Sequence, residues 1–272
     1  MASIDVSDEH GVPVRLRYDD HGDGRPVVFV HDWPLCACSW EAQLEPLVER
    51  GYRVIAYDRR GFGGSDKPWS GYDFDTLADD LHALLTGLDL TGAALVGAGS
   101  GGGEIVRYLS RHGDERVERV VFASTALPYL YRAVGNPLGT AGDDLVARIR
   151  AELRQDRHTY VSRHLTGYFN DTLSGPAMEY HRGRAARASA RAVLEFFEAA
   201  LHTDFRHDLA QVRVPSLVLH GERDLLLPRH QTADRVHEAL PGSRYELIAG
   251  APHGFFLTHA RQANRILLDF LR

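Results

Sequence analysis

Cysteine is scarce in this chain: two residues in 272, Cys36 and Cys38. That excludes a disulfide-stapled scaffold, and no Cys/His spacing elsewhere suggests zinc, so no metal is expected. At i, i+2 the pair is poorly placed to bridge itself, so the expectation is free thiols in a reduced, cytoplasmic protein. Long hydrophobic runs are missing as well. The apolar stretches have strand length, far below the ~20 residues of a bilayer span, and no membrane partner is expected. Met1-Ala2-Ser3-Ile4-Asp5 has no cationic head followed by an apolar run, so no signal peptide is expected. Basic excess is also lacking, with 31 Lys and Arg against 37 Asp and Glu and a formal net charge of −6. No nucleic-acid partner is expected. The Arg-rich stretch 182–191 spreads its charges among alanines and reads as a solvated helix face.

What is present is ordinary globular usage, 44% apolar and 25% charged, at a length that one α/β domain can occupy. Short apolar runs alternate with helical patterns, the signature of a mostly parallel sheet flanked by helices. Strands are expected at 14–18, 27–30, 53–57, 93–96, 117–123, 216–220 and 244–248. Helices are expected at 40–49, 74–88, 104–111, 231–240 and 260–271. Between about 127 and 201 the alternation stops and the pattern turns helical. The expected organisation is an α/β core in two parts, 1–126 and 202–272, with a helical lid at 127–201 over the carboxyl edge of the strands. Tyr129, Tyr131, Tyr160, Tyr168, Phe169, Phe196 and Phe197 give that insertion many large rings. Most of them read as packing between lid and core.

Three places stand at the carboxyl ends of strands: His31-Asp32-Trp33-Pro34; Gly97-Ala98-Gly99-Ser100-Gly101-Gly102-Gly103-Glu104; and His220-Gly221-Glu222-Arg223-Asp224 with Gly250-Ala251-Pro252-His253-Gly254. The order strand, sharp turn, helix, then acid, then histidine resembles the α/β-hydrolases. More narrowly the chain resembles their cofactor-free haloperoxidase and arylesterase branch. Residues 27–40, 51–66, 92–108 and 214–254 carry the likeness, above all Arg53-Val54-Ile55-Ala56-Tyr57-Asp58-Arg59-Arg60-Gly61-Phe62-Gly63-Gly64-Ser65. The resemblance implies an α/β-hydrolase fold, Asp224 as triad acid, His253 as triad base, and an oxyanion hole lined by the backbone N–H groups of Trp33 and Ser100.

Two positions depart from the family pattern, Gly-His-Ser-Met-Gly-Gly-Gly-Glu at the elbow and His-Gly at the oxyanion loop. Gly99 falls at the nucleophile position and Asp32 at the loop glycine. Gly99 removes the attacking atom and relieves the strain a side chain suffers at such a turn. Asp32 puts a carboxyl group where an oxyanion would form; half-buried, its pKa should rise, making it a general acid facing a His253–Asp224 base pair. The Gly99 vacancy would hold substrate or a water. A serine restored at 99 would then reach His253.

Alternatives remain beside this reading. A one-residue shift of register makes Ser100 the nucleophile of an ordinary esterase or perhydrolase. A third reading is a non-catalytic small-molecule binder. Gly97-x-Gly99-x-x-Gly102 matches a dinucleotide fingerprint, but the next strand ends Phe122-Ala123-Ser124-Thr125 without the acid such a site needs ~20 residues on. His202, Asp204, His207 and Asp208 match no strong ligand spacing. The leading expectation is a cofactor-independent enzyme doing acid–base chemistry (elimination, isomerisation, cyclisation or water addition) on a small, largely apolar substrate.

Overall fold

The computed structural model describes residues 2–9 and 11–272. The chain starts with a hairpin of β1 (Ala2–Glu9) and β2 (Val12–His21), paired antiparallel. The strand expected at 14–18 is therefore the middle of a longer one, and β1 ahead of it was not anticipated. Then follow β3 (Arg25–Val30), α1 (Glu41–Val48), β4 (Tyr52–Tyr57), α2 (Phe74–Gly87), β5 (Ala93–Ala98), α3 (Gly101–His112) and β6 (Val117–Ala123). Four helices come next: α4 (Asp143–Phe169), α5 (Gly175–Ala186), α6 (Ala190–His202) and the short α7 (Arg206–Leu209). The core resumes with β7 (Ser216–Gly221), α8 (Ala233–Ala239), β8 (Arg244–Ile248), α9 (Phe255–Thr258) and α10 (Ala260–Leu271).

The eight strands form one sheet in the order β1-β2-β4-β3-β5-β6-β7-β8. From β4 to β8 every pairing is parallel, whereas β2 joins β4 antiparallel. Central strands covered on both faces must be apolar throughout, and Val27, Val28, Phe29 and Val30 are all buried. Strand order reverses at β3, which lies between β4 and β5. In open α/β sheets such a reversal opens a crevice at the carboxyl ends of the strands. Val30 pairs with both Tyr57 and Gly97, so the loops after β3, β4 and β5 start at one level.

The helical stretch between β6 and β7 has local causes for its breaks. Asp156 leaves helical geometry inside α4 (φ −154, ψ 86), and its carboxylate accepts the N–H groups of His158 and Thr159, capping the second half. Ser174 caps α5 and Ser189 caps α6.

One expectation fails here. Cys36 and Cys38 are joined by a disulfide, with Cα atoms 5.3 Å apart. The extended residue Cys36 (φ −149, ψ 178) leads straight into a 3-10 turn over Ala37–Trp40. That tight turn brings the second side chain back within reach of the first, so residue spacing alone misjudged the pair. Among the described residues no helix is long and apolar enough to cross a membrane.

Candidate active site

The loop after β3 carries Asp32, buried at 6% exposure. His31 fixes this loop: its Nδ1 donates to the Asp32 carbonyl (2.9 Å), and its Nε2 accepts the Arg59 N–H (3.1 Å). Burial and the Arg59 charge lower the His31 pKa to about 4, which keeps the ring neutral as those bonds require. The side chain of Asp32 turns toward the β5–α3 corner. There its Oδ1 accepts three hydrogen bonds: from the Trp33 N–H (2.7 Å), the Ser100 N–H (2.7 Å) and the Ser100 hydroxyl (2.9 Å). The two backbone donors that the family resemblance assigns to an oxyanion hole thus converge on one atom, the inner oxygen of this carboxylate.

Gly99 makes the arrangement sterically feasible. It sits at the corner with φ +49, a left-handed conformation that side chains resist. A Cβ there would lie 2.0 Å from Asp32 Cγ. The space expected to hold substrate or a water is filled by the Asp32 carboxylate itself. The expectation that a serine at 99 would reach His253 is corrected by the same contact, because Asp32 stands between.

His253, on the loop after β8, bridges two carboxylates. Its Nδ1 meets Asp224 Oδ2 at 2.7 Å and its Nε2 meets Asp32 Oδ2 at 3.1 Å. A carboxylate only accepts, so both contacts are satisfied together by the imidazolium, which donates from each nitrogen. Burial alone would lower its pKa, but Asp224 and Asp32 overcome this and hold it at about 10. Asp224 is fastened independently: its Oδ1 accepts the N–H groups of Leu226 (3.0 Å) and Leu227 (2.9 Å). The two carboxyls respond alike. Burial pushes each upward, yet His253 on both, with the Ser100 donors on Asp32, brings each below the ordinary aspartate value. Asp32 is therefore an anion, not the raised-pKa acid expected, because its hydrogen bonds all favour the charged form.

Ser100 lies in ordinary helical geometry (φ −65, ψ −18) at the start of α3. Besides its bond to Asp32, its Oγ accepts from the Trp33 N–H (3.2 Å) and Arg59 Nη1 (3.3 Å). Among the described residues it makes no hydrogen bond with His253. Behind it, Arg59 is buried against Glu104 (2.6 Å), which also accepts from the Tyr57 hydroxyl. This pair anchors the floor of the site.

Above Asp32 opens a cavity of about 280 Å³. Asp32, Trp33, Ser100 and His253 contribute polar groups at its wall; Leu145, Ile149, Phe197, Leu201, Leu225 and Leu226 supply apolar surface. Trp33 is both wall and anchor, since its indole N–H donates to the Val193 carbonyl (3.0 Å). Of the seven rings singled out, Tyr160 and Phe197 line the cavity, and Tyr168 packs edge-on against His253 with centroids 4.5 Å apart. The Tyr168 hydroxyl lies in the field of Asp32 but completes no hydrogen bond among the described residues.

His164 is a cavity residue that the motif reading missed. Burial lowers its pKa to about 4, so it stays neutral. Tyr160, His164 and Tyr168 recur every four residues on one face of α4. That spacing was the available signal.

An acid–histidine pair at the carboxyl edge of a doubly flanked, mostly parallel sheet defines a hydrolase-type α/β scaffold. The chain belongs to the alpha/beta hydrolase fold family, whose model matches residues 25–260. It is 36% identical to the non-heme chloroperoxidase of Kitasatospora aureofaciens, over 95% of this chain and 96% of that one. It is 30% identical to a bifunctional esterase/perhydrolase of Acinetobacter calcoaceticus, again over 95% and 96%. A solved bromoperoxidase from Bacillus anthracis superposes with a TM-score of 0.96 at 42% identity, covering 99% of each chain.

Proposed function

We propose that this protein is a cofactor-independent enzyme that reacts without a serine nucleophile. Gly99 stands in the position the family gives to serine, and Asp32, His253 and Asp224 form the reacting set. One observation carries the reading: the Asp32 carboxylate occupies the paired backbone donors, with Oδ1 at 2.7 Å from each. Those donors stabilise an ester substrate's oxyanion only if its carbonyl oxygen can enter. Here that place is taken by an anion that would repel it. His253 then serves as proton shuttle, Asp224 holds its orientation, and the helices between β6 and β7 act as a lid over a small, largely apolar substrate. The chemistry that suits this set is proton transfer or addition of water at a centre presented to Asp32.

A second reading rests on the relatives' names: an esterase or perhydrolase using Ser100. The Ser100 hydroxyl favours the first reading, since it is tied to Asp32, Trp33 and Arg59. Treatment with a fluorophosphonate probe, followed by intact mass spectrometry, separates the two. No adduct is expected. A stoichiometric adduct on Ser100 overturns the serine-independent reading.

A further inference from the structure

We propose that the Cys36–Cys38 bridge is a thiol–disulfide exchange site for small thiols of amino-acid type, bearing carboxylate and ammonium groups, with Cys38 as the sulfur attacked. The site is separate from the one around Asp32, and the proposal does not depend on the function assigned there.

The bridge is poorly suited to stapling the fold. A disulfide stabilises mainly by restricting the unfolded chain, and more so the longer the loop it closes. This one joins residues two positions apart. The backbone around it is held without it. The Leu35 N–H donates to the Asp32 carbonyl (2.9 Å), and the Ala37 N–H donates to Asp58 Oδ1 (2.8 Å). The Ser39 N–H and hydroxyl both donate to the Cys36 carbonyl (3.0 and 2.9 Å). Opening the bridge therefore leaves the two sulfurs on a fixed turn, within reach of closing again.

Both cysteines stand on the wall of an open cavity of about 470 Å³, which shares no lining residue with the cavity above Asp32. Cys36 is buried at 3% exposure, whereas Cys38 is half-buried and is the sulfur-bearing residue a solute meets first. Tyr180 and Arg184 of α5, and Arg187 just past its end, join the lining. Their spacing of i, i+4 and i+7 puts all three on one helix face. Part of the Arg-rich stretch 182–191 thus turns to a cavity instead of bulk solvent.

The charges in this cavity select the thiol. Arg17 is engaged by Asp19 (2.8 Å) and Asp58 (3.4 Å), and Asp58 also accepts the Ala37 and Gly64 N–H groups. Arg184 and Arg187 form no ion pair among the described residues. Arg184 lies over the Tyr180 ring and donates to its hydroxyl (3.2 Å), while its Nε is buried without a partner. Glu41, exposed on the same lining, forms no ion pair among the described residues either. Guanidinium groups bind carboxylates through paired N–H donors, and a carboxylate binds an ammonium. The solute that meets both, and reacts with a disulfide, is a thiol with amino-acid ends.

The exchange balances. The small thiol gives its proton to water, and its sulfur bonds to Cys38 Sγ as the Cys36–Cys38 bond breaks. The electron pair leaves on Cys36 Sγ, which takes a proton from water. A second small thiol attacks the sulfur of the first, releasing Cys38 as a thiol and a disulfide of the two small molecules. Two electrons pass from the small thiols to Cys36 and Cys38. Run in reverse, the small disulfide oxidises the protein.

The test compares reduction of the wild-type protein by glutathione, neutral 2-mercaptoethanol and cationic cysteamine. N-ethylmaleimide quenches the reaction, intact mass spectrometry counts the thiols, and each rate is corrected for thiol basicity and thiolate fraction. Glutathione should be fastest. In Arg184→Gln/Arg187→Gln its lead over 2-mercaptoethanol should fall about fivefold, the worth of a well-formed surface ion pair. Incubated with oxidised glutathione, Cys36→Ser should gain an adduct on Cys38, and Cys38→Ser should gain little on Cys36. Equal corrected rates for the three thiols, or a lead unchanged in the double variant, overturn recognition by this cavity. Stronger labelling of Cys36 than of Cys38 overturns the choice of sulfur. Failure of every thiol to reduce the folded protein, followed by circular dichroism, overturns the site, as do two free thiols in protein kept in air without reductant.

Discussion

Asp224 and Asp32 flank the same imidazole from opposite sides, and they are held in different ways. Asp224 leans on its own loop, through the N–H groups of Leu226 and Leu227, and among the described residues it is not part of the lining of the cavity above Asp32. Asp32 leans on a corner built by another strand, through the Ser100 N–H, and faces the cavity. The first arrangement fixes a carboxylate behind the imidazole. The second fixes a charge at the cavity wall through its inner oxygen. The two carboxylates therefore differ in which backbone donors each has and in which side of His253 it occupies.

Substitution by asparagine should expose that division most strongly. Asp32→Asn preserves shape and can still accept the Trp33 and Ser100 N–H groups, but it removes the negative charge. Under the serine-independent reading, turnover of a small apolar substrate found by screening should fall to the uncatalysed background. Asp224→Asn should lower it by about 10⁴, the cost of a mis-set histidine tautomer in a serine protease. Steady-state rates of both variants, with circular dichroism to confirm folding, decide the matter. Comparable activity in Asp32→Asn and wild type would assign Asp32 to structure alone.

The half of the site around Asp224 was legible in the sequence because it follows a fixed chain order. The strand 216–220, the acid at 224, the strand 244–248 and the histidine at 253 all lie where expected, and the last two have no competing pattern. The positions of the central parallel strands came through because burial on both faces leaves apolar runs, although β3 and β5 are each two residues longer than expected. The hairpin partner β1 did not, although Ile4 and Val6 alternate with polar residues; a partly exposed edge strand leaves only that period-two trace. The half around Asp32 was legible in composition but not in geometry. That Gly99 and Asp32 both depart from the pattern the resemblance implies could be read. That the carboxylate fills the glycine's missing side-chain volume requires coordinates, as does the inversion of its expected pKa. Burial suggests a raised value, and only the three converging donors and His253 reverse it. The Cys36–Cys38 bridge was misjudged for a similar reason, since a tight turn undoes a rule based on spacing.

The same interlocking predicts strong coupling between positions 99 and 32. Gly99→Ala places a methyl group on left-handed backbone and against Asp32 Cγ. The backbone strain costs about 1–3 kcal/mol, and overpacking adds about 1–3 kcal/mol. Asp32→Gly frees the space, so the overpacking part should vanish in the double variant while the backbone part remains. Urea midpoints of the wild type, both single variants and the double variant give the interaction energy, expected at about 1–3 kcal/mol in the favourable direction. Additivity would mean that Asp32 moves aside at little cost. Its hold on the two backbone donors would then be weak.

The effect that separates the two carboxylates most finely is the alkaline dependence of stability. The folded protein keeps the His253 proton to about pH 10, whereas an unfolded histidine releases it near 6.5. This raised pKa contributes stability that is fully present below about 6.5 and is lost as pH rises through about 10. The depressed carboxyls act in the opposite sense, contributing above their ordinary value near 3.8 and losing that contribution as pH falls. Urea midpoints measured from pH 6.5 to 10.5 should therefore decline in the wild type. In Asp32→Asn the imidazole has one anionic partner left, so its proton leaves earlier. The decline should be smaller and end at lower pH. Asp224→Asn should shrink it further, because the Asp224 contact is shorter, 2.7 against 3.1 Å, and Asp224 is the stronger charge on the ring. An unchanged decline in Asp32→Asn would mean that Asp224 alone holds the proton.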